Sequence, residues 1–168
     1  MTVNMERVDR IMKHPLFQQC RSQIEEAEAE RIYCRHNLEH SLDVARIAYI
    51  LNLEEQGCLD KEVIYAMALV HDLGRSQEYR NGKNHHQAGA ELAKVILSEC
   101  GFTTEEIEMV CQAVLAHRNS ENETEQTVNE YCKNLLYRAD KLSRNCYDCM
   151  ASKTCYWDDA IRNHQIIY

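Results

Sequence analysis

Apolar positions recur at helical spacing along almost the whole chain, with polar residues filling the faces between them. The pattern predicts helices over roughly 3–13, 16–33, 37–55, 60–73, 85–100, 103–118 and 124–142. Local signals mark their ends. Asp60 stands where an N-cap belongs, "TTEE" at 103–106 reads as a capping box, and Gly57, Gly74 and Gly101 fall where helices should stop. "GRSQEYRNGKN" at 74–84 and the stretch 119–123 read as polar loops, and the periodicity fades after residue 145. Only five glycines and one proline are available for turns, which argues against a many-stranded sandwich or barrel. No repeat, linker or compositional break divides the chain. The expectation is an all-α helical bundle forming one domain over 1–168, large enough to bury a sizeable core.

The apolar stripes end in ionisable residues. In the third predicted helix His40 falls in line with Val44, Ile47, Ala48 and Leu51. In "YAMALVHDLGR" Ile64 and Ala68 lead to His71 and Asp72. Ile107, Val110 and Val114 lead to His117, and Cys132 and Leu136 lead to Asp140. The fifth helix opens with "HHQAGAELAKVIL", where His85 and His86 precede a small-residue turn. Any one of these, taken singly, reads better as a satisfied core histidine or a helix cap than as a ligand. Together they place carboxylates and imidazoles inside the bundle, and buried carboxylates are costly unless a cation compensates them. A divalent metal meets that need. Imidazole with carboxylate suits iron, manganese, nickel, cobalt or zinc better than calcium, with magnesium also in range.

His40, the His71–Asp72 pair and Asp140 resemble the H…HD…D motif of the HD superfamily of metal-dependent phosphohydrolases. "HSLDVARIA", "ALVHDLGR" and "YRADKL" carry the resemblance, which spans roughly 36–144. It implies an all-helical fold in which the four motif residues bind one metal. A subset of the family adds two histidines for a second metal bridged by the HD aspartate. "HHQAG" is similar to the opening of that subset, with His85 in register and His86 one residue off, and "VLAHR" supplies His117. The resemblance therefore implies a second ligand set of Asp72, His85 and His117. The further signature of the cyclic-dinucleotide phosphodiesterase branch is absent. The pattern is nearer to symmetrical dinucleoside-tetraphosphate hydrolases and other small-nucleotide phosphohydrolases, whose metals activate water for in-line attack on phosphorus. Asp72 would then work beside a proton carrier, His36 or a carboxylate. His36, four residues before His40, reads as an orienter of His40, a substrate contact or a solvated residue at a helix start.

The formal net charge of −8, without a run of lysine or arginine, disfavours a nucleic-acid polymer as partner. A small phosphorylated substrate remains in keeping with the cations beside the motifs. Arg75 follows the HD pair, Arg118 follows His117, Lys141 follows Asp140, and Arg144 lies one turn further on. Arg75 and Lys141 are the catalytic candidates among them, and all four are candidates for phosphate contact. Arg35, Lys83 and Tyr79 lie near the same motifs. The longest apolar run, Val63 to Val70, is far short of a membrane span, and "MTVNMERVDR" lacks a signal-peptide pattern. A cytoplasmic protein without membrane contact is expected, and a homodimer is compatible with the reading.

Nine cysteines are many for this length. Cys20, Cys58, Cys100, Cys111 and Cys132 are scattered singly and read as structural. Cys146, Cys149 and Cys155 form C-x2-C-x5-C directly after the motif aspartate. They read as free thiols or, with a fourth ligand such as Cys34, as a site for zinc or an iron–sulfur cluster. Two other functions fit the motif residues. One is a di-iron oxygenase on the same scaffold, and the other is a non-catalytic ligand-binding module that keeps its metal for structure.

Overall fold

The computed structural model describes residues 4–116 and 127–168, among which helices are the regular elements. They are α1 (Glu6–Lys13), α2 (Pro15–Ala27), α3 (Leu38–Glu54), α4 (Lys61–Val70), α5 (Arg75–Asn81), α6 (His85–Cys100), α7 (Thr104–Ala116) and α8 (Val128–Leu142). Single 3-10 turns follow at Cys146–Asp148, Ser152–Thr154 and Asp159–Ile161. The all-α expectation is met.

The bundle is built around α3, which packs on α4 and α8, while α7 bridges α6 and α8. Its core joins Val44, Ala48 and Leu51 of α3 to Ile64 and Met67 of α4, with Ile96, Val110 and Leu135 from the other helices. Burial of these apolar faces is the main driving force for assembly, because isolated helices of this length are marginal in water. The caps then set where each helix begins. Asp60 accepts from the Glu62 amide at 2.8 Å. Thr103 and Glu106 exchange amide hydrogen bonds at 2.8 and 3.2 Å, the reciprocal pattern of a capping box. Arg7 ties α1 to both neighbouring helices, with Nε 2.6 Å from Glu62 and Nη1 2.7 Å from Glu106, above the Phe102 ring.

Three expectations need correction. The second helix stops at Ala27 rather than near 33, because the Glu28 carboxylate turns back to bind the His36 amide at 2.7 Å. The segment read as loop 74–84 contains α5, a polar helix of about two turns closed by Gly82 at φ 73° and packed between α2 and α6. Gly74 is not a left-handed helix stop. Its φ is −62°, and a Cβ there would lie 1.9 Å from the His85 carbonyl oxygen, so it serves close backbone packing of the HD turn on α6. Gly101 does end its helix in the left-handed conformation. The expected loop 119–123 lies outside the described residues.

Candidate metal centre

Three helices deliver the four motif residues to one point. Asn37 caps α3 by accepting from the His40 amide at 3.0 Å, which sets His40 on the first helical turn facing inward. α4 ends at Val70, and the turn after it carries His71 and Asp72 into the interior. Asp140 comes from the last turn of α8. Ligand atoms of His40, His71, Asp72 and Asp140 all lie within 4.8 Å of one another, and all four residues are buried.

The hydrogen bonds around the two imidazoles determine which nitrogen faces that point. His71 Nδ1 donates to the Ala68 carbonyl at 2.7 Å. Ser143 Oγ gives its one proton to the Asp140 carbonyl at 2.7 Å, so toward His40 Nδ1, 3.2 Å away, it acts as acceptor. Both Nδ1 atoms therefore carry hydrogen, and in the neutral rings both Nε2 atoms present lone pairs. His71 Nε2 stands 2.9 Å from Asp72 Oδ2, and His40 Nε2 stands 3.3 Å from Asp140 Oδ1. Lone pairs facing carboxylate oxygens at these distances need a cation or a proton between them. The donor set fits a divalent metal, and Ser143 and the Ala68 carbonyl play the orienting role that such ligands require.

Burial pushes the Asp72 carboxyl up, but His71, His36 and Arg75 outweigh it and hold the group well below the ordinary value. Asp140 is likewise driven up by burial and held well below it by His40, Arg144, His71 and Lys141. Burial opposes protonation of His71, and Asp72 and Asp140 beside it raise its pKa. Both carboxylates are ionised at neutral pH. Arg75 Nε donates to Asp72 Oδ1 at 2.8 Å, and Lys141 Nζ lies 3.0 Å from Asp140 Oδ2. Arg144 Nη2 reaches both His40 Nε2, at 3.1 Å, and Asp140 Oδ1, at 3.3 Å. A metal ion that takes the His40 lone pair displaces this donor.

A pocket of about 290 Å³ opens over Asp72 and Asp140. Four cations line it, Arg31, Arg75, Lys141 and Arg144, against those two carboxylates, so an acidic protein has a locally basic pocket. Tyr33, Tyr137, Tyr156 and Trp157 provide flat walls. Lys141 sits 5.0 Å from the Trp157 ring centre.

His36 also lines this pocket, though it lies before the α3 cap and does not share a helix face with His40. Its Nδ1 contacts Glu28 Oε1 at 2.5 Å, and the Tyr79 hydroxyl donates to the same oxygen at 2.5 Å. Burial raises the Glu28 carboxyl, but hydrogen bonds and charge from His36, with help from Tyr79, bring it down to about 2. Burial lowers the His36 pKa, so at neutral pH the ring is uncharged and gives its Nδ1 hydrogen to Glu28, and its charge acts on Glu28 only once the ring protonates at lower pH. The sequence offered no sign of Glu28 beyond its place among several acidic residues. Tyr79 braces Glu28 rather than forming the pocket lip, and its hydroxyl is pushed up to about 12, by burial first and then by the bond to Glu28. Arg35 bonds backbone carbonyls and Lys83 pairs with Glu91, so neither lines the basic pocket.

His85 is buried at the start of α6, with Nδ1 2.8 Å from Glu78 Oε1. It falls outside the 4.8 Å quartet, and the His86 ring stacks against it with centroids 3.9 Å apart. His117 and Arg118 lie outside the described residues. Cys146, Cys149 and Cys155 share a second pocket with Cys34, against the same wall.

The family model of the HD domain matches residues 37–145, a span that contains all four clustered residues. An uncharacterized protein of Clostridium beijerinckii (strain ATCC 51743 / NCIMB 8052) is 43% identical over 141 residues, covering 84% of this chain and 85% of that protein. The fold is similar to the crystal structure of a predicted HD superfamily hydrolase from an uncultured Thermotogales bacterium. That likeness has a TM-score of 0.60 at 23% identity and covers 92% of this chain and 86% of the other. No helix among the described residues is long and apolar enough to cross a membrane.

Proposed function

The chain belongs to the HD domain family, and from that premise we propose that it is a metal-dependent phosphohydrolase acting on a small nucleotide or a related phosphate ester. One observation carries the reading. Two oriented imidazoles and two ionised carboxylates converge at the base of a basic, aromatic-walled pocket. His40, His71, Asp72 and Asp140 would hold an iron, manganese, nickel, cobalt, zinc or magnesium ion. Asp72, His85 and His117 would hold a second. A divalent ion in that position acts as a Lewis acid toward a phosphoryl oxygen and acidifies bound water.

The chain's own residues supply the rest. Arg31, Arg75, Lys141 and Arg144 match the charge of a phosphate and orient it by directed N–H donors. Arg118 would join them. The tyrosines and Trp157 offer stacking surface for a base, which is why a nucleotide is preferred over a simple phosphate ester. His36, neutral and anchored through Nδ1 on Glu28, has Nε2 left to accept a proton from an attacking water. Asp72 is kept ionised and oriented by Arg75.

The test is elemental analysis of the purified protein beside a His71→Ala/Asp72→Ala variant, together with phosphate release from a panel of nucleoside phosphates supplied with manganese. Bound divalent metal and turnover are both expected in the native protein and absent from the variant. Metal lost from the variant without turnover of any panel member by the native protein would favour a non-catalytic metal-containing module.

A further inference from the structure

Residues 145–168 keep a defined path with little to hold them. None of them is buried, and the three 3-10 turns contribute no core residue. Met150, Tyr156 and Ile166 are largely exposed. Hydrophobic burial therefore does not offset the entropy of ordering this segment. Hydrogen bonds account for part of it. Asn163 donates to the carbonyls of Lys141 at 2.8 Å and Arg144 at 2.7 Å, and the Tyr33 hydroxyl donates to that of Thr154 at 3.0 Å. Lys141 over the Trp157 ring, the edge-on Tyr33–Tyr156 pair and the Tyr168–Glu54 hydrogen bond add surface contacts, and a group of thiols is a further candidate for a fastening.

Cys146, Cys149 and Cys155 of this segment line one pocket of about 350 Å³ with Cys34, which comes from the connection between α2 and α3. All four are half-buried, and none is in a disulfide. Burial raises the Cys34 pKa, Arg144 opposes this, and the thiols of Cys146, Cys149 and Cys155 raise it further, so each of those three sulfurs lies within electrostatic range of Cys34. Sequence spacing alone left the segment one ligand short of a metal site, and the fold supplies the fourth.

We propose that Cys34, Cys146, Cys149 and Cys155 ligate one [4Fe–4S] cluster that fastens the C-terminal segment to the wall of the pocket over Asp72 and Asp140. Four thiolates complete the ligand set of a cubane cluster. A single zinc ion would hold the same sulfurs on a sphere of about 2.3 Å radius, hence about 3.8 Å apart. No three of these four thiols, all in described residues, come within 4.8 Å of one another. A cubane binds each thiolate to a separate iron at its own corner, which requires the wider spacing and the room the pocket provides. Arg35, Arg144 and Arg162 line the same pocket together with Glu39, Asp43 and Asp148, and among the cations Arg144 favours the Cys34 thiolate. Loading releases the four thiol protons to solvent. Cys34, Cys155 and Trp157 also line the pocket over the motif carboxylates, so the cluster forms part of its wall. The inference is independent of the hydrolase reading.

The experiment is anaerobic purification, with reconstitution by ferrous and ferric iron in equal amounts and sulfide, so that two of the four irons enter already oxidised, followed by iron and acid-labile sulfide determination and visible absorption. Expected are about four iron and four sulfide per chain and a broad visible band that bleaches on reduction. Sulfide and band should disappear in Cys34→Ser and in Cys149→Ser, and persist in Cys58→Ser and in His71→Ala, which separates this centre from the motif metal. Far-UV circular dichroism establishes that each variant retains the helical core, and a Cys34→Ala/Cys155→Ala pair provides a second test if one serine variant fails to fold. Zinc without sulfide, four thiols open to alkylation in the reconstituted native protein, or sulfide retained by folded Cys34→Ser would each overturn the proposal.

Discussion

Arg75 Nε donates to Oδ1 of Asp72 at 2.8 Å, while Oδ2 of the same carboxylate lies 2.9 Å from His71 Nε2. One oxygen of the buried carboxylate is thus held by a donor while the other is turned toward the metal position, and its orientation depends on a residue three positions along the chain, across the turn into α5. Arg75→Ala should leave Asp72 ionised and buried without the guanidinium donor that orients its Oδ1. Divalent-metal affinity should fall about 10-fold or more, with phosphate release falling further. Arg75→Lys should restore part of the affinity through charge but less of the turnover, because the planar donor is lost. Titration calorimetry with manganese separates the two effects, and unchanged affinity in the alanine variant would remove Arg75 from this positioning role.

Ser143 determines the His40 tautomer by accepting from Nδ1 while it donates to the Asp140 carbonyl. Ser143→Ala removes the acceptor without adding volume. Metal affinity should drop about 10-fold, with thermal stability changed by only about 1 kcal/mol. Equal affinity for metal in the two proteins would show that Ser143 does not orient His40.

Glu28 has its carboxyl lowered from an ordinary value of 4.5 to about 2. A depressed carboxyl contributes stability that is fully present above 4.5 and is lost as pH falls from there toward 2. At roughly 1.4 kcal/mol per pH unit, the contribution is at most about 3.5 kcal/mol. Glu28→Gln should lower stability at neutral pH by that order and flatten the difference between the two proteins at low pH. Urea midpoints measured from neutral pH down to about pH 2 provide the check. A wild-type advantage that stays constant over the whole range would contradict the assignment.

Gly74 packs its backbone against α6, where a Cβ would meet the His85 carbonyl oxygen at 1.9 Å and the Gly89 nitrogen at 2.5 Å. Backbone atoms cannot step aside as a flexible side chain can. Gly74→Ala should destabilise by about 3 kcal/mol, seen as a melting temperature lowered by roughly 10 °C. Gly82→Ala should cost only about 1 kcal/mol, since nothing lies near its Cβ and the penalty is that of a left-handed φ of 73°. Equal losses at the two sites would count against close packing at Gly74.

The sequence by itself located seven of the eight helices of the described residues and the apolar face of each, because a period of 3.6 residues and the capping residues are local properties. That was enough to point His40, His71, Asp72 and Asp140 inward from separate helices. It could not give depth or partner, which depend on contacts between residues far apart in the chain. Glu28 looked like one more acid on an exposed helix, and only the chain's return at His36 makes it a buried anchor. Ser143 acquires meaning only because α8 lies beside α3 and brings it to His40. The stretch 74–84 read as loop because its polar composition hides a short helix that is held by packing between α2 and α6. Cys34 meets Cys146, Cys149 and Cys155 for the same reason. Local patterns choose secondary structure and facing, whereas the tertiary fold alone decides which ionisable groups share one low-dielectric space.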